Sequence, residues 1–117
     1  GYKDSYQKRF VWRLRRRHAD TVEITKADML REKIEILNQL GLHARASAKL
    51  TLLAGQYQSE IWLSRNDHKV NAKSIMGVMM LAAAKGVILE LEVDGPDESD
   101  ALDAIKHLVS DLFGEGQ

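Results

Sequence analysis

The chain has 117 residues, of which 44% are hydrophobic and 6% aromatic. These figures allow one modest, mostly aliphatic core and leave little area for a deep cofactor cleft. With no cysteine present, disulfides, thiol catalysis and thiolate metal sites are excluded, and a cytoplasmic location is expected.

The 17 basic and 17 acidic residues balance overall but not along the chain. Residues 1–30 carry eight Lys/Arg against four Asp/Glu, and residues 31–117 carry nine against thirteen. A basic N-terminal extension therefore precedes an acidic domain. The opening residues lack the apolar run of a signal peptide, and the longest apolar run, residues 78–84, is too short to span a bilayer. No membrane insertion is expected.

Within residues 1–30 two local readings stay open. Phe10, Val11 and Leu14 fit a helical stripe, whereas Trp12 and Leu14 with the charges between them fit an alternating strand. Val22 and Ile24 offer a further short extended piece. The segment is expected to be a separate or partly ordered arm, as chain termini commonly are. Its Arg13, Arg15, Arg16, Arg17 and His18 would suit nucleic acid or anionic lipid. The acidic domain that follows repels a phosphate backbone, so a nucleic-acid partner is not expected.

From residue 31 the pattern sharpens. Residues 33–37 alternate as a half-buried strand, and Asn38 to Gly41 end it. Residues 44–54, rich in Ala and Leu, predict a helix that Gly55 stops. Residues 60–65 and 68–71 predict a hairpin across Asn66-Asp67. Ser74 opens a helical stretch over residues 75–84, which Gly77 should keep short. Residues 87–93 place Val87, Leu89, Leu91 and Val93 on one strand face and Glu90 and Glu92 on the other. Asp97 or Ser99 is expected to cap a last helix, in which Leu102, Ile105, Leu108, Val109 and Leu112 form the apolar stripe. The order β-α-β-β-α-β-α predicts an α+β fold: a two-layer sandwich with a four-stranded antiparallel sheet and three helices on one face. The expected division is residues 1–30 as extension and residues 31–117 as domain.

His43 is the residue with the clearest chemical potential. It stands at the mouth of the predicted helix, where unpaired backbone N–H groups of Ala44 and Arg45 and the positive dipole end favour an anion. The Arg45 guanidinium can add a charge-assisted fork to the same anion. A neutral imidazole is nucleophilic, so this grouping suits a histidine that accepts and releases a phosphoryl group. An ordinary capping or surface histidine fits the same residues. Ser74 is expected to cap its helix and is also a candidate phosphorylation site. Met76, Met79 and Met80 are either core or an adaptable docking patch. His18, His68 and His107 lack metal-ligand spacing and read as surface residues, and no phosphate loop or dinucleotide fingerprint is present. Neither a metal nor a cofactor is expected.

Gly41-Leu42-His43-Ala44-Arg45, followed by Lys73-Ser74-Ile75-Met76-Gly77-Val78-Met79 and by Asp94-Gly95-Pro96-Asp97-Glu98, resembles the HPr family. These are the histidine-containing phosphocarriers of the bacterial phosphoenolpyruvate-dependent phosphotransferase system. The resemblance spans roughly residues 30–114 and implies an open-faced β-sandwich. It further implies that His43 is phosphorylated on Nδ1 by Enzyme I and donates to a IIA protein or domain, with Arg45 binding the phosphate. Ser74 matches the serine that an HPr kinase/phosphorylase modifies in some bacteria, and Ile75, Met76 and Met79 match the docking patch. A regulatory protein of the same fold, whose main output is phosphorylation-dependent binding to a kinase or regulator, is the alternative. Two features depart from the family pattern. Ala46 stands where the family usually has proline, and residues 1–30 have no counterpart in the motifs.

Overall fold

A computed structural model describes the backbone of residues 6–17 and 21–116 and the side chains of residues 29–116. Strand β1 (Tyr6–Arg17) leads to β2 (Thr21–Glu35), then helix α1 (Ala44–Ala54), β3 (Glu60–Arg65), β4 (His68–Asn71), α2 (Ile75–Met80), β5 (Ile88–Asp94) and α3 (Glu98–Ser110). A 3-10 turn at Leu112–Gly114 follows.

The expected four-stranded antiparallel sheet is formed by β2, β5, β3 and β4, in that spatial order, and three helices accompany it. A fifth strand, β1, lies outside β2. It runs antiparallel from Tyr6 opposite Glu32 to Arg17 opposite Thr21. Of the two readings open for residues 10–14, the backbone takes the strand. The strand expected at residues 33–37 is the end of a 15-residue β2, and only residues 30–35 of β2 pair with β5. The remaining residues of β2 pair with β1 and carry the hairpin past the shared sheet.

Strand alternation decides what the sheet buries. Leu30 and Ile34 of β2, Ile61 and Leu63 of β3, and Leu89, Leu91 and Val93 of β5 turn to the helices. There they form one cluster with Ala46 and Leu50 of α1 and with Ala101, Leu102, Ile105 and Val109 of α3. Each large aliphatic side chain so buried contributes about 1.5–3 kcal/mol. On the opposite face, the expected acidic surface is in fact salt-linked. Arg31 Nη2 lies 2.9 Å from Glu90 Oε1, and Lys69 Nζ lies 3.0 Å from Glu92 Oε1. Lys69 also sits over the Trp62 ring, 5.2 Å from its centroid. These cations let Glu92 be buried on a sheet face that has no helix over it.

Two local expectations change. Helix α2 stops at Met80, not Ala84, and Ala82 takes a positive φ of 50°. The Arg65 guanidinium donates to the carbonyls of Leu81 and Ala82, both at 2.9 Å, and so satisfies the end of the short helix. Asp97 does occupy the N-cap position of α3, but its side chain makes no capping bond, and Ser99 lies inside the helix. The Asp97 carboxylate instead accepts from the Gln58 and Ser59 backbone N–H groups, each at 2.9 Å, and from the Ser59 hydroxyl at 2.5 Å. It ties the start of α3 to the loop entering β3. The Ser59 hydroxyl bond, then the Gln58 bond, hold its carboxyl below the ordinary value.

Candidate active site

The turn before α1 requires glycine. Gly41 has φ +68°, and a Cβ there would stand 2.5 Å from the Ala83 carbonyl oxygen. The next residue, Leu42, donates its N–H to that same oxygen at 2.8 Å. The loop after α2 is thereby bonded to the residue preceding His43.

His43 then takes the N-cap position of α1 in extended conformation, with φ −80° and ψ −178°. Its carbonyl accepts the first helical bond, from Ser47 N–H at 2.9 Å. The N–H groups of Ala44, Arg45 and Ala46 therefore have no partner within the helix. The His43 side chain makes no capping bond, which removes the ordinary capping role. Its ring is 29% exposed and lines an open cleft of about 710 Å³ with Leu40, Ala44, Arg45, Lys49 and Glu115. Arg45 is exposed and makes no side-chain hydrogen bond or ion pair among the described residues. Ala46, in the place of the family proline, is fully buried.

Residues that the sequence did not single out complete the cleft. His43 Nε2 lies 2.6 Å from Glu115 Oε2, across 72 positions of sequence. Asn38, fully buried, donates its amide nitrogen to the Gly41 carbonyl at 2.8 Å and to Glu115 Oε1 at 3.0 Å. Lys49 Nζ donates to the Phe113 carbonyl at 2.7 Å and fastens α1 to the 3-10 turn. The Asn38 bond, followed by the His43 bond, holds the Glu115 carboxyl below its ordinary value, although burial opposes them. The carboxylate is thus ionised at neutral pH. No sequence signal marks Glu115, because neither its type nor its position hints at a partner so far away. Asn38 reads as a strand terminator, which it also is.

Ser74 is the exposed N-cap of α2, and its hydroxyl accepts from Gly77 N–H at 3.1 Å, as the capping reading requires. Val78 is the buried residue of that helix. Met76 and Met80 are each 67% exposed, and Ile75 and Met79 each 38%, so all three methionines face outward. His68 and His107 are exposed. His18 and the other basic side chains of residues 13–17 lie outside the described side chains. Among the described residues no group of three or more His, Asp or Glu side chains is placed to hold a metal ion, and no helix is long and apolar enough to cross a membrane.

The family model for the PTS HPr component phosphorylation site matches residues 30–111. Phosphocarrier protein HPr of Neisseria meningitidis serogroup A is 58% identical over 89 residues, which are 76% of this chain and all of that protein. The phosphocarrier protein HPr of Cupriavidus necator shows the same identity over the same length and shares. Among solved structures, the crystal structure of HPr-C-His from Thermoanaerobacter tengcongensis superposes with a TM-score of 0.71. Its sequence identity is 42%, over 73% of this chain and 96% of that one. An open-faced α+β sandwich of this kind is the architecture of a small phosphocarrier. The chain belongs to the HPr family of the phosphotransferase system, and that membership implies phosphoryl transfer by way of a phosphohistidine.

Proposed function

We propose that His43 accepts a phosphoryl group from phosphorylated Enzyme I in the cytoplasm and passes it to a IIA protein or domain. One observation carries this reading. A half-exposed imidazole stands at a helix N-terminus with one nitrogen engaged, beside an arginine whose guanidinium has no other partner among the described residues.

Since Nε2 is taken by Glu115, Nδ1 is the nitrogen left to attack. Its lone pair forms the new bond to phosphorus as the bond to the donor nitrogen breaks, and that electron pair returns to the donor. Charge on the transferring group spreads over its equatorial oxygens. The Ala44 and Arg45 N–H groups and the Arg45 guanidinium are the donors within the chain that suit this charge. The group leaves for the acceptor by the same in-line route. The open cleft fits a reaction in which a second protein supplies the other half of the site. Residues 31–117 would form the carrier unit, with the basic extension as an addition to it.

Ile75, Met76 and Met79 suit docking of both partners, because methionine adapts to differing surfaces. Ser74 suits control by an HPr kinase/phosphorylase. Its hydroxyl is exposed, and a phosphate there would place about two negative charges at the foot of the docking helix.

Incubation with phosphoenolpyruvate and a matched Enzyme I, read by intact mass, tests the main reading. The chain should gain one acid-labile phosphoryl group, and His43→Ala should gain none. A labelled His43→Ala protein would remove His43 from the role. Passage of the label to a IIA protein separates a carrier from a regulatory protein of the same fold.

A further inference from the structure

We infer that Arg65 is a positioning residue that holds the loop after α2 against the turn bearing His43, so that a partner seated on α2 meets the imidazole in line. This rests on the reading of His43 as phosphoryl acceptor and of α2 as the docking helix. What it adds is a device outside the cleft that fixes how the two stand to each other.

The placement of Arg65 follows from strand alternation. Ile61 and Leu63 of β3 are buried beneath the helices, and Arg65, two residues further on, falls on the same face. It is the last residue of β3 and pairs with His68 across the Asn66-Asp67 turn. Its backbone is therefore anchored by the core, while its half-buried side chain reaches the helix layer. There a single nitrogen, Nη1, donates to the carbonyls of both Leu81 and Ala82 at 2.9 Å. No backbone N–H among the described residues reaches either carbonyl. Ala82 has φ 50°, a left-handed conformation that a residue with a Cβ keeps only where its surroundings impose it.

From this loop the bonds run on to the acceptor turn. Ala83 is buried, and its carbonyl takes the Leu42 N–H at 2.8 Å. It is the same oxygen that leaves no room for a Cβ at Gly41. Leu42 directly precedes His43. Lys85 adds an exposed bond to Gln39 Oε1 at 3.3 Å. On the other side, α2 ends at Met80 and feeds straight into Leu81, with Ile75, Met76 and Met79 exposed along it. Arg65 thus grips the chain between the docking helix and the carbonyl that holds the acceptor turn. A displacement of about 1 Å between a docked partner and the attacking atom is enough to slow a positioned reaction many-fold.

Arg65→Met keeps the apolar stem and removes the donor, and it leaves His43, Arg45 and the exposed residues of α2 in place. With the chain as the varied substrate of Enzyme I, kcat should fall about tenfold while KM stays within about twofold. Direct labelling of His43 by phosphoramidate needs no docking and releases ammonia, so it should proceed at the parental rate. Amide hydrogen exchange at Leu42 should quicken about tenfold as the loop loosens. Arg65→Lys, whose ammonium can donate to carbonyls, should recover part of kcat and of the Leu42 protection. Melting curves of both variants set the folded fraction to which each rate is referred. Parental kcat in Arg65→Met overturns the inference. A raised KM at unchanged kcat overturns it as well, since Arg65 would then serve docking alone. Slower labelling by phosphoramidate does the same, because the acceptor turn itself would then be damaged. A parent chain that takes label from phosphoramidate but none from Enzyme I fails the carrier reading instead, and the hold of Arg65 on the turn then stands or falls on Leu42 exchange.

Discussion

The two halves of the cleft come from unlike parts of the chain. The stretch from Gly41 to Arg45 is local: five consecutive residues make a turn, place a histidine and open a helix. The stretch from Leu112 to Glu115 is delivered by packing. Leu112 and Phe113 both take left-handed backbone angles, with φ of 57° and 55°, which cost non-glycine residues about 1–3 kcal/mol each. They are held there because Phe113 is fully buried in the core and its carbonyl is bonded to Lys49. One half thus owes its geometry to hydrogen bonds between near neighbours and a single tie to the Ala83 carbonyl, the other to the core beneath it. His43, the proposed phosphoryl acceptor, lies in the first half, and Glu115, the carboxylate bonded to its ring, lies in the second.

That contrast can be broken from the packed side first. Phe113→Ala should cost about 3–5 kcal/mol of stability, measured by urea unfolding, because it empties a fully buried site. It should also weaken the hold on Glu115, so transfer by the folded fraction should slow even though the local motif is untouched. Full transfer activity in that folded fraction would mean that the packed half is dispensable. On the local side, Arg45→Ala should reverse the pattern. The residue is exposed and has no partner among the described residues, so the melting temperature should hardly move. Phosphoryl transfer should fall about a hundredfold, the usual scale for losing one donor to a developing anion. An equal transfer rate would strip Arg45 of its role.

The smallest expected effect lies away from both halves, at Asp97. Its carboxyl is held below the ordinary value of 3.8 by Ser59 and Gln58 in the folded state. Such a group stabilises the fold fully above its unfolded pKa, and that contribution is lost as pH falls through the lowered folded pKa. Asp97→Asn should therefore lower the melting temperature at pH 7. Below the folded pKa it should make little difference, and the two melting curves should converge in acid. A constant gap at all pH values would show that the bonds, not the charge, matter.

Much of the architecture was legible along the chain because its signals are local. Alternation in residues 60–65 and 87–93 and the apolar stripe of α3 each report a face turned to a common core, and four of the five strands follow from such patterns. The hairpin of β1 and β2 was harder, since residues 6–17 and 21–32 choose strand over helix by pairing with each other. Asp97 misled for a related reason. Capping its own helix and bonding Ser59 are both open to an aspartate, and only the approach of the loop before β3 selects the second. The outward methionines of α2 could not be told from core methionines by spacing alone, because a six-residue helix has room to bury little more than Val78.

By itself, the order of residues determined the strand and helix periodicities, the glycine turn at residue 41 and a histidine at the mouth of a helix. These depend on steric and hydrogen-bonding choices within a few residues of one another. Only the tertiary structure decided that Glu115 and Asn38 meet that histidine, that Arg31 and Lys69 neutralise the acidic sheet face, and that a fifth strand joins the edge. Contacts across 72 positions form when two surfaces close on one core, and nothing in either short segment encodes its distant partner.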